Sequence, residues 1–437
     1  MQPTPRGLLL LLFATPLLAA GQWLPILQWV GLALIVLLLI AFYFDWQQAG
    51  DGNGRFQIER IHDDKLSLGA DNHVQINIYN RSGRSARIWL RDEPPDEFRI
   101  SQRVFEAQIK PRQSFSAQYT VYPLRRGDYE FGKLNLRWQG PAGLMIRQER
   151  FDFEGPVKVY PNLIDVRRYD LFLKKNRLQE LGLRSTRQFG EGSEFERLRE
   201  YTPDDEYRRI DWKATARRHR PITVEFQTER SQNVIALLDI GRMMQSPVDE
   251  IAKLDYVVNA VLLLGYVATG KGDKVGLMTF ADNVVQYLNP KQGRGQFYRM
   301  LELLYGIEPQ PVEPNYQQAL SYLSAKQRKR SLVILFTDLS GGVSMQSLVA
   351  NISLLAKRSL PLVVTISDPE IVASAEQIPE DSLGAYQKTA AAQLLDERKI
   401  ILDNLRQQGV LTLDVPANRL SIAVINQYLS LKAKTLL

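Results

Sequence analysis

NVIALLDI, Asn233 to Ile240, is an unbroken apolar run closed by an acid, and SLVILFTDLS, Ser331 to Ser340, repeats the pattern further along the chain. Continuous rather than alternating apolarity marks a strand covered on both faces, as in a parallel sheet. Between and beyond these runs the period changes. KLDYVVNAVLLLGYVATG reads as a helix with Gly270 as its stop, and YQQALSYLSAKQR reads as another. KVGLMTFA and NVVQYLNP flank Asp282-Asn283 as a hairpin, while LPLVVTIS and VLTLDVP supply two more strands around a long helical pattern from Ala385 to Gln408. A last helix starts near Arg419. This alternation predicts a doubly wound α/β domain with a mostly parallel sheet over residues 231–437. Sites in such sheets gather beyond the carboxyl ends of the strands, where Asp239 and Asp338 fall.

Upstream the pattern is different. Residues 55–161 carry short β-type runs between turn residues, among them HVQINIYN, FSAQYTVYP and KLNLRW, and predict an all-β sandwich. Residues 162–230 form a connector that starts basic and becomes densely charged. At the N-terminus, spans of about 7–24 and 25–44 are free of charge after Arg6 and are each near the roughly 20 residues that a membrane helix needs. Gly21, Gln22, Trp23 and Pro25 suit the bend of a transmembrane hairpin over residues 1–50. The competing reading is a signal peptide ending near Ala19-Ala20-Gly21. A hairpin with Arg6 before its first span places both ends, and the soluble domains, in the cytoplasm.

The chain has 437 residues and no cysteine, which removes disulfides, thiolate catalysis and cysteine-based zinc sites. Its three histidines are scattered. The net charge of +7 comes from acids and bases mixed along the chain, which fits a surface near anionic lipid better than a nucleic-acid groove. GKGDKVG lacks the order of a phosphate-binding loop, and no nucleophile and base stand together in a motif. The expectation is a protein that is not an enzyme.

Two acids at neighbouring strand tips could hold a hard cation if hydroxyls supplement them. The order strand, Asp239, helix, strand pair, helix, then LFTDL at Leu335 to Leu339 resembles a von Willebrand factor A domain. That resemblance implies a divalent cation such as Mg²⁺ held by D-x-S-x-S, a loop Thr and a later Asp. Here the first motif reads Asp239-Ile240-Gly241-Arg242-Met243, and Pro314 or Asn315 stands at the loop Thr. Asp239, Asp338 and Thr337 remain as a degenerate metal set. The alternative is that the carboxylates cap loops or pair with Arg242, leaving no cofactor.

The connector narrows the likeness. Gly190, Gly192 and Glu194, then Arg199, Tyr201, Asp204, Arg208, Ile210, Asp211, Trp212, Lys213 and Arg217, follow the pattern F-G-x-G-x-E-F and R-x-Y-x-P-x-D-x-x-R-x-I-D-W-K-x-x-A-R. They resemble the hallmark of the membrane-associated domain of unknown function 58 family, and Gln139 to Leu144 match the segment that usually precedes it. From the residues themselves, the block reads either as a folded polar network pinned by a buried Trp212 or as a docking face. The resemblance implies a bacterial inner-membrane protein that partners a MoxR-type AAA+ ATPase in chaperone-like assembly of other envelope or membrane proteins. A cation-dependent adhesion or ligand-binding receptor facing outward is the alternative from another class.

Overall fold

The chain was analysed as a computed structural model that describes residues 2–20, 22–162, 166, 194–202, 207, 210–227, 231–339, 344–379 and 381–434. It divides into two compact units, Met1–Tyr160 and Pro161–Leu437. Helix and sandwich segments that the sequence separates therefore belong to one unit.

In the first unit, α1 (Pro5–Ala20) and α2 (Pro25–Ala49) form an antiparallel pair. Gly7 faces Phe42 at one end and Gly31 faces Leu18 at the other, so each glycine lets a side chain of the partner helix approach. At 1.5 Å per residue α2 extends about 37 Å, more than the ~30 Å of a bilayer core, whereas α1 reaches only about 24 Å. Of the two expected spans, α2 alone is long and apolar enough to cross a membrane by itself. The pair carries many exposed apolar side chains, Trp29 at 74% exposure among them.

The β-rich remainder has a sheet ordered Gln2–Pro3, Met145–Phe151, Leu134–Gln139, Ala86–Asp92, Val104–Ile109, and a second ordered Phe56–Ile61, Asn72–Asn80, Ser114–Pro123, Phe98–Ile100. Alternation decides what is buried: Val74, Ile76 and Ile78 point inward from one sheet, and Leu134, Leu136 and Trp138 from the other. The sheets meet through Phe56 against Trp138 and Phe105 against Tyr119. Between them Asp92 accepts from Tyr119 and pairs with Arg60.

Asp45 joins the helices to this unit. It lies near the C-terminus of α2, where the helix dipole disfavours a negative charge. Its carboxylate accepts from the backbone N–H groups of Ala142 at 2.6 Å, Leu144 at 2.9 Å and Met145 at 2.8 Å. Ala142 and Leu144 lie in the turn within Gln139 to Leu144, Met145 opens the strand that follows, and a Cβ on Gly140 would collide with the same carboxylate. Thr4, just ahead of α1, donates to Gly143 O in the turn, and Trp138 Nε1 donates to Ala49 O at 3.0 Å.

The second unit is built on a six-stranded sheet of β1 (Asn233–Asp239), β2 (Lys274–Phe280), β3 (Val284–Lys291), β4 (Leu332–Phe336), β5 (Leu360–Ser367) and β6 (Leu411–Pro416). Its spatial order is β3-β2-β1-β4-β5-β6, with only β3 antiparallel. Strand residues alternate between two cores. Val234, Ala236 and Leu238 face α4 (Lys253–Gly270), α5 (Arg294–Tyr305) and α10 (Leu420–Ala433). Ile235 and Leu237 face α6 (Tyr316–Lys326), α7 (Ser344–Ala356) and α9 (Ser382–Gln407), to which α8 (Pro369–Glu376) leads. The strand order reverses between β1 and β4, the topological switch point where a crevice opens in such sheets.

We expect Asp45→Ala to destabilise the first unit by about 2 kcal/mol, because three partly buried N–H groups lose their acceptor together. Thermal unfolding of the full chain in detergent measures this, and an unchanged midpoint would remove Asp45 from its role.

Candidate functional site

The two acids singled out in the sequence stand side by side at the switch point, and both are buried. Their oxygens are occupied by protein groups. Asp239 Oδ1 accepts from Gly241 N at 2.7 Å, and Oδ2 accepts from Thr337 Oγ1 at 2.6 Å and Tyr316 OH at 3.2 Å. Tyr316 OH and Thr337 Oγ1 are also 2.8 Å apart, closing a small ring of hydrogen bonds. Asp338 Oδ2 lies 2.6 Å from Lys253 Nζ, with side-chain exposures of 1% and 5%. Arg398 approaches Asp338 Oδ1 at 3.7 Å, and ties β5 to β6 through Thr365, Ile366 O and Asp414.

This arrangement corrects one sequence expectation. The cation beside the acids is Lys253, supported by Arg398, whereas Arg242 pairs with Glu313 on the surface at 2.6 Å. Asn315 serves as a helix cap, its side chain accepting from Gln318 N at 3.0 Å. Sequence reasoning missed Lys253, Tyr316 and Arg398. Lys253 did leave a signal: a lysine at the first position of a helix opposes the dipole and calls for a carboxylate partner.

Burial pushes the Asp239 carboxyl up to about 6, and the donors Thr337, Gly241 and Tyr316 offset only part of that shift. The Tyr316 hydroxyl is raised for the same reason, and by the neighbouring Asp239. The set does not fit a divalent cation. A hard cation needs several free oxygens, but here an ammonium already neutralises Asp338 and three donors hold Asp239. Among the described residues no cluster of three His, Cys, Asp or Glu side chains could hold a metal.

The charged block folds as a separate local piece. Glu194–Glu200 pairs antiparallel with Ile222–Gln227, and Tyr201 N donates to Pro221 O. Ile210 is buried and bridges to Thr223. Asp211 caps α3 (Trp212–Arg218), accepting from Lys213 N at 2.9 Å and Ala214 N at 3.0 Å, an interaction of about 1 kcal/mol. Trp212 is 59% exposed and packs edge-on to Tyr207, so it is not the buried pin of a polar network. The first position of a short helix gives an indole nothing to sink into. Lys213 and Arg217 are exposed, and Arg199 donates to Glu200 O and Thr202 Oγ1. Gly190, Gly192, Asp204 and Arg208 lie outside the described residues, as does the side chain of Glu194.

Two measurements test this geometry. Lys253→Met should cost about 3–5 kcal/mol by stranding a buried carboxylate, and adding Asp338→Leu should restore most of it. Denaturant unfolding that found the double variant as unstable as the single one would contradict the pairing. Asp239 binds its proton more tightly when folded, so its stabilising contribution is fully present below about pH 4 and is lost as pH rises through about 6. Relative to Asp239→Asn, the wild type should lose about 3 kcal/mol between about pH 4 and about pH 7. A difference that is flat with pH would show that Asp239 titrates normally.

Comparison with known proteins adds the following. Residues 197–387 match the family described as protein of unknown function DUF58. The uncharacterized protein YeaD of Bacillus subtilis is 23% identical over 224 residues, covering 51% of this chain and 54% of YeaD. The uncharacterized protein Rv1480 of Mycobacterium tuberculosis is 25% identical over 186 residues, covering 42% of this chain and 57% of Rv1480. The chain thus spans just over half the length of these curated relatives. Among solved structures, proximal thread matrix protein 1 from the mussel byssus is 16% identical over 46% of this chain and 47% of its own, with a TM-score of 0.31, too low to carry a structural conclusion. The matched region takes in most of the charged block and five of the six sheet strands, amounts to less than half of this chain, and is what this chain has in common with the DUF58 family.

Proposed function

We propose that this protein is a membrane-anchored, non-enzymatic interaction module whose second unit is a von Willebrand factor A-like domain that no longer uses a metal. The single observation that carries the reading is the apolar helix pair fastened to the β-rich unit by Asp45, since its exposed leucines and aromatics need a lipid environment. Both helices start or finish against the same turn, which supports a hairpin that enters and leaves on one side. With Arg6 ahead of it, that side is the cytoplasmic face of a bacterial inner membrane. The strand order with one antiparallel edge supports the von Willebrand factor A-like reading. The occupied carboxylates support recognition without a cation.

The partner we propose is a MoxR-type AAA+ ATPase, which would supply the nucleotide chemistry for assembly of other membrane or envelope proteins. Docking through the charged block draws support from the exposed Trp212 and Tyr207, since Trp, Tyr and Arg are favoured anchors at interfaces.

Purification of the intact chain from membranes tests the reading directly. The ATPase should co-purify, and Trp212→Ala should lower its yield at least several-fold while changing stability by less than about 1 kcal/mol, as for exposed positions. Capture at wild-type yield by a folded Trp212→Ala chain would move docking elsewhere. Activity of a periplasm-dependent reporter fused to Leu437 would overturn the topology and favour an outward-facing receptor.

A further inference from the structure

The topology of the second unit sorts its charges. Strands β1, β2, β4, β5 and β6 start at one edge of the sheet, and α4, α6, α7, α9 and α10 finish there. Besides the uncharged segment 231–233, the described segments gathered at that edge include 271–274, 291–295, 324–331, 354–360, 403–411 and 430–434, and each of these six carries a lysine or arginine. They contain two acids, both already engaged: Asp273 with Gln232 N and Lys432, and Asp403 with Arg406.

Helix dipoles account for part of this. Lys326, Arg406 and Lys432 sit in the last turns of α6, α9 and α10, where a cation is favoured. Arg328, Lys329, Arg330, Lys357 and Arg358 lie beyond the last turns and are exposed, so dipole compensation does not explain them. Three of them, Arg328, Arg330 and Arg358, line an open cleft of about 710 Å³ with Ser324 and Ala325. Converging guanidinium groups match phosphate oxygens in a way that scattered solvated lysines do not. Leu354, 61% exposed, sits in the last turn of α7, three and four residues before Lys357 and Arg358. An apolar side chain beside a cationic plane is the composition of an interfacial lipid contact rather than of a nucleic-acid groove.

We infer that this edge, centred on the cleft of Arg328, Arg330 and Arg358 with Leu354 beside it, binds the phosphate headgroups of an anionic phospholipid surface. The inference rests on the proposed anchor, which holds the second unit at a high local concentration near lipid.

The chain has no cysteine, so Leu354→Cys offers a single position for an environment-sensitive dye that stands in for the leucine. The full labelled chain is reconstituted into nanodiscs of phosphatidylcholine alone or with about one third phosphatidylglycerol. We expect a blue shift and brighter emission only in the anionic discs, reversed by about 0.5 M salt. Arg328→Glu, Arg330→Glu and Arg358→Glu together should reduce the response at least tenfold. Identical spectra in the two disc types, read on the unaltered surface, would overturn the inference. So would a response in neutral discs to millimolar inorganic phosphate, marking a soluble-anion site, or a response to a single-stranded oligonucleotide with none to anionic lipid. A chain that fails to enter either disc would refute the anchor itself, a result distinct from a chain that enters while its dye stays in water.

Discussion

The ion pair between Lys253 and Asp338 is the constraint around which the second unit is arranged. A carboxylate and an ammonium buried together are tolerable only when each is neutralised by the other at close range. That requirement holds the start of α4 against the end of β4, and Arg398 extends the same demand to β5, β6 and α9. Asp239 beside it is satisfied by uncharged donors instead, one each from β1's own exit, α6 and the turn after β4. A crevice that sheet topology would leave open for a ligand is thereby filled with the chain's own polar groups.

Asp45 does comparable work in the first unit by different means. Among the described residues its partners are three backbone N–H groups presented by a tight turn and the strand that follows. In both places a charge sits at the wrong end of a helix for the dipole, an acid near the C-terminus of α2 and a lysine at the N-terminus of α4. Each local penalty is offset by a partner distant in sequence, so both positions bind separate segments together rather than stabilising their own helices.

Much of the fold was legible because burial on two faces leaves an unmistakable trace. The runs at 233–240 and 331–340 could only be central strands, and their acids could only fall at the switch point. The hairpin at Asp282-Asn283 and the alternating strands near 73–80 and 115–123 were equally plain. Side-chain partners were not. Arg242 is closer in sequence to Asp239 than Lys253 is, yet it turns outward to Glu313, because distance along the chain says little about which side chain a loop turns inward. The chemistry of the block left open whether Trp212 is a buried pin or part of a docking face, and its place at the first turn of α3, after the Asp211 cap, leaves it at the surface. Composition alone makes 7–24 a full span, whereas α1 ends at Ala20 and the next helix starts at Pro25.

Gly241, at the exit of β1, leaves room for a neighbouring loop to pass over the buried acids. Here the segment 310–314 has closed over it: Gln310 N donates to Ile240 O, and Arg242 N to Val312 O. A Cβ built on Gly241 would meet Val312 O at 2.9 Å, Asp239 Oδ1 at 3.0 Å and Pro314 Cδ at 3.1 Å. Any side chain at this position therefore demands that the backbone of the neighbouring loop retreat. The lid that segment 310–314 forms over the exit of β1 thus depends on a residue with no Cβ, so the covering of the acids is set by main-chain clearance as much as by side-chain chemistry.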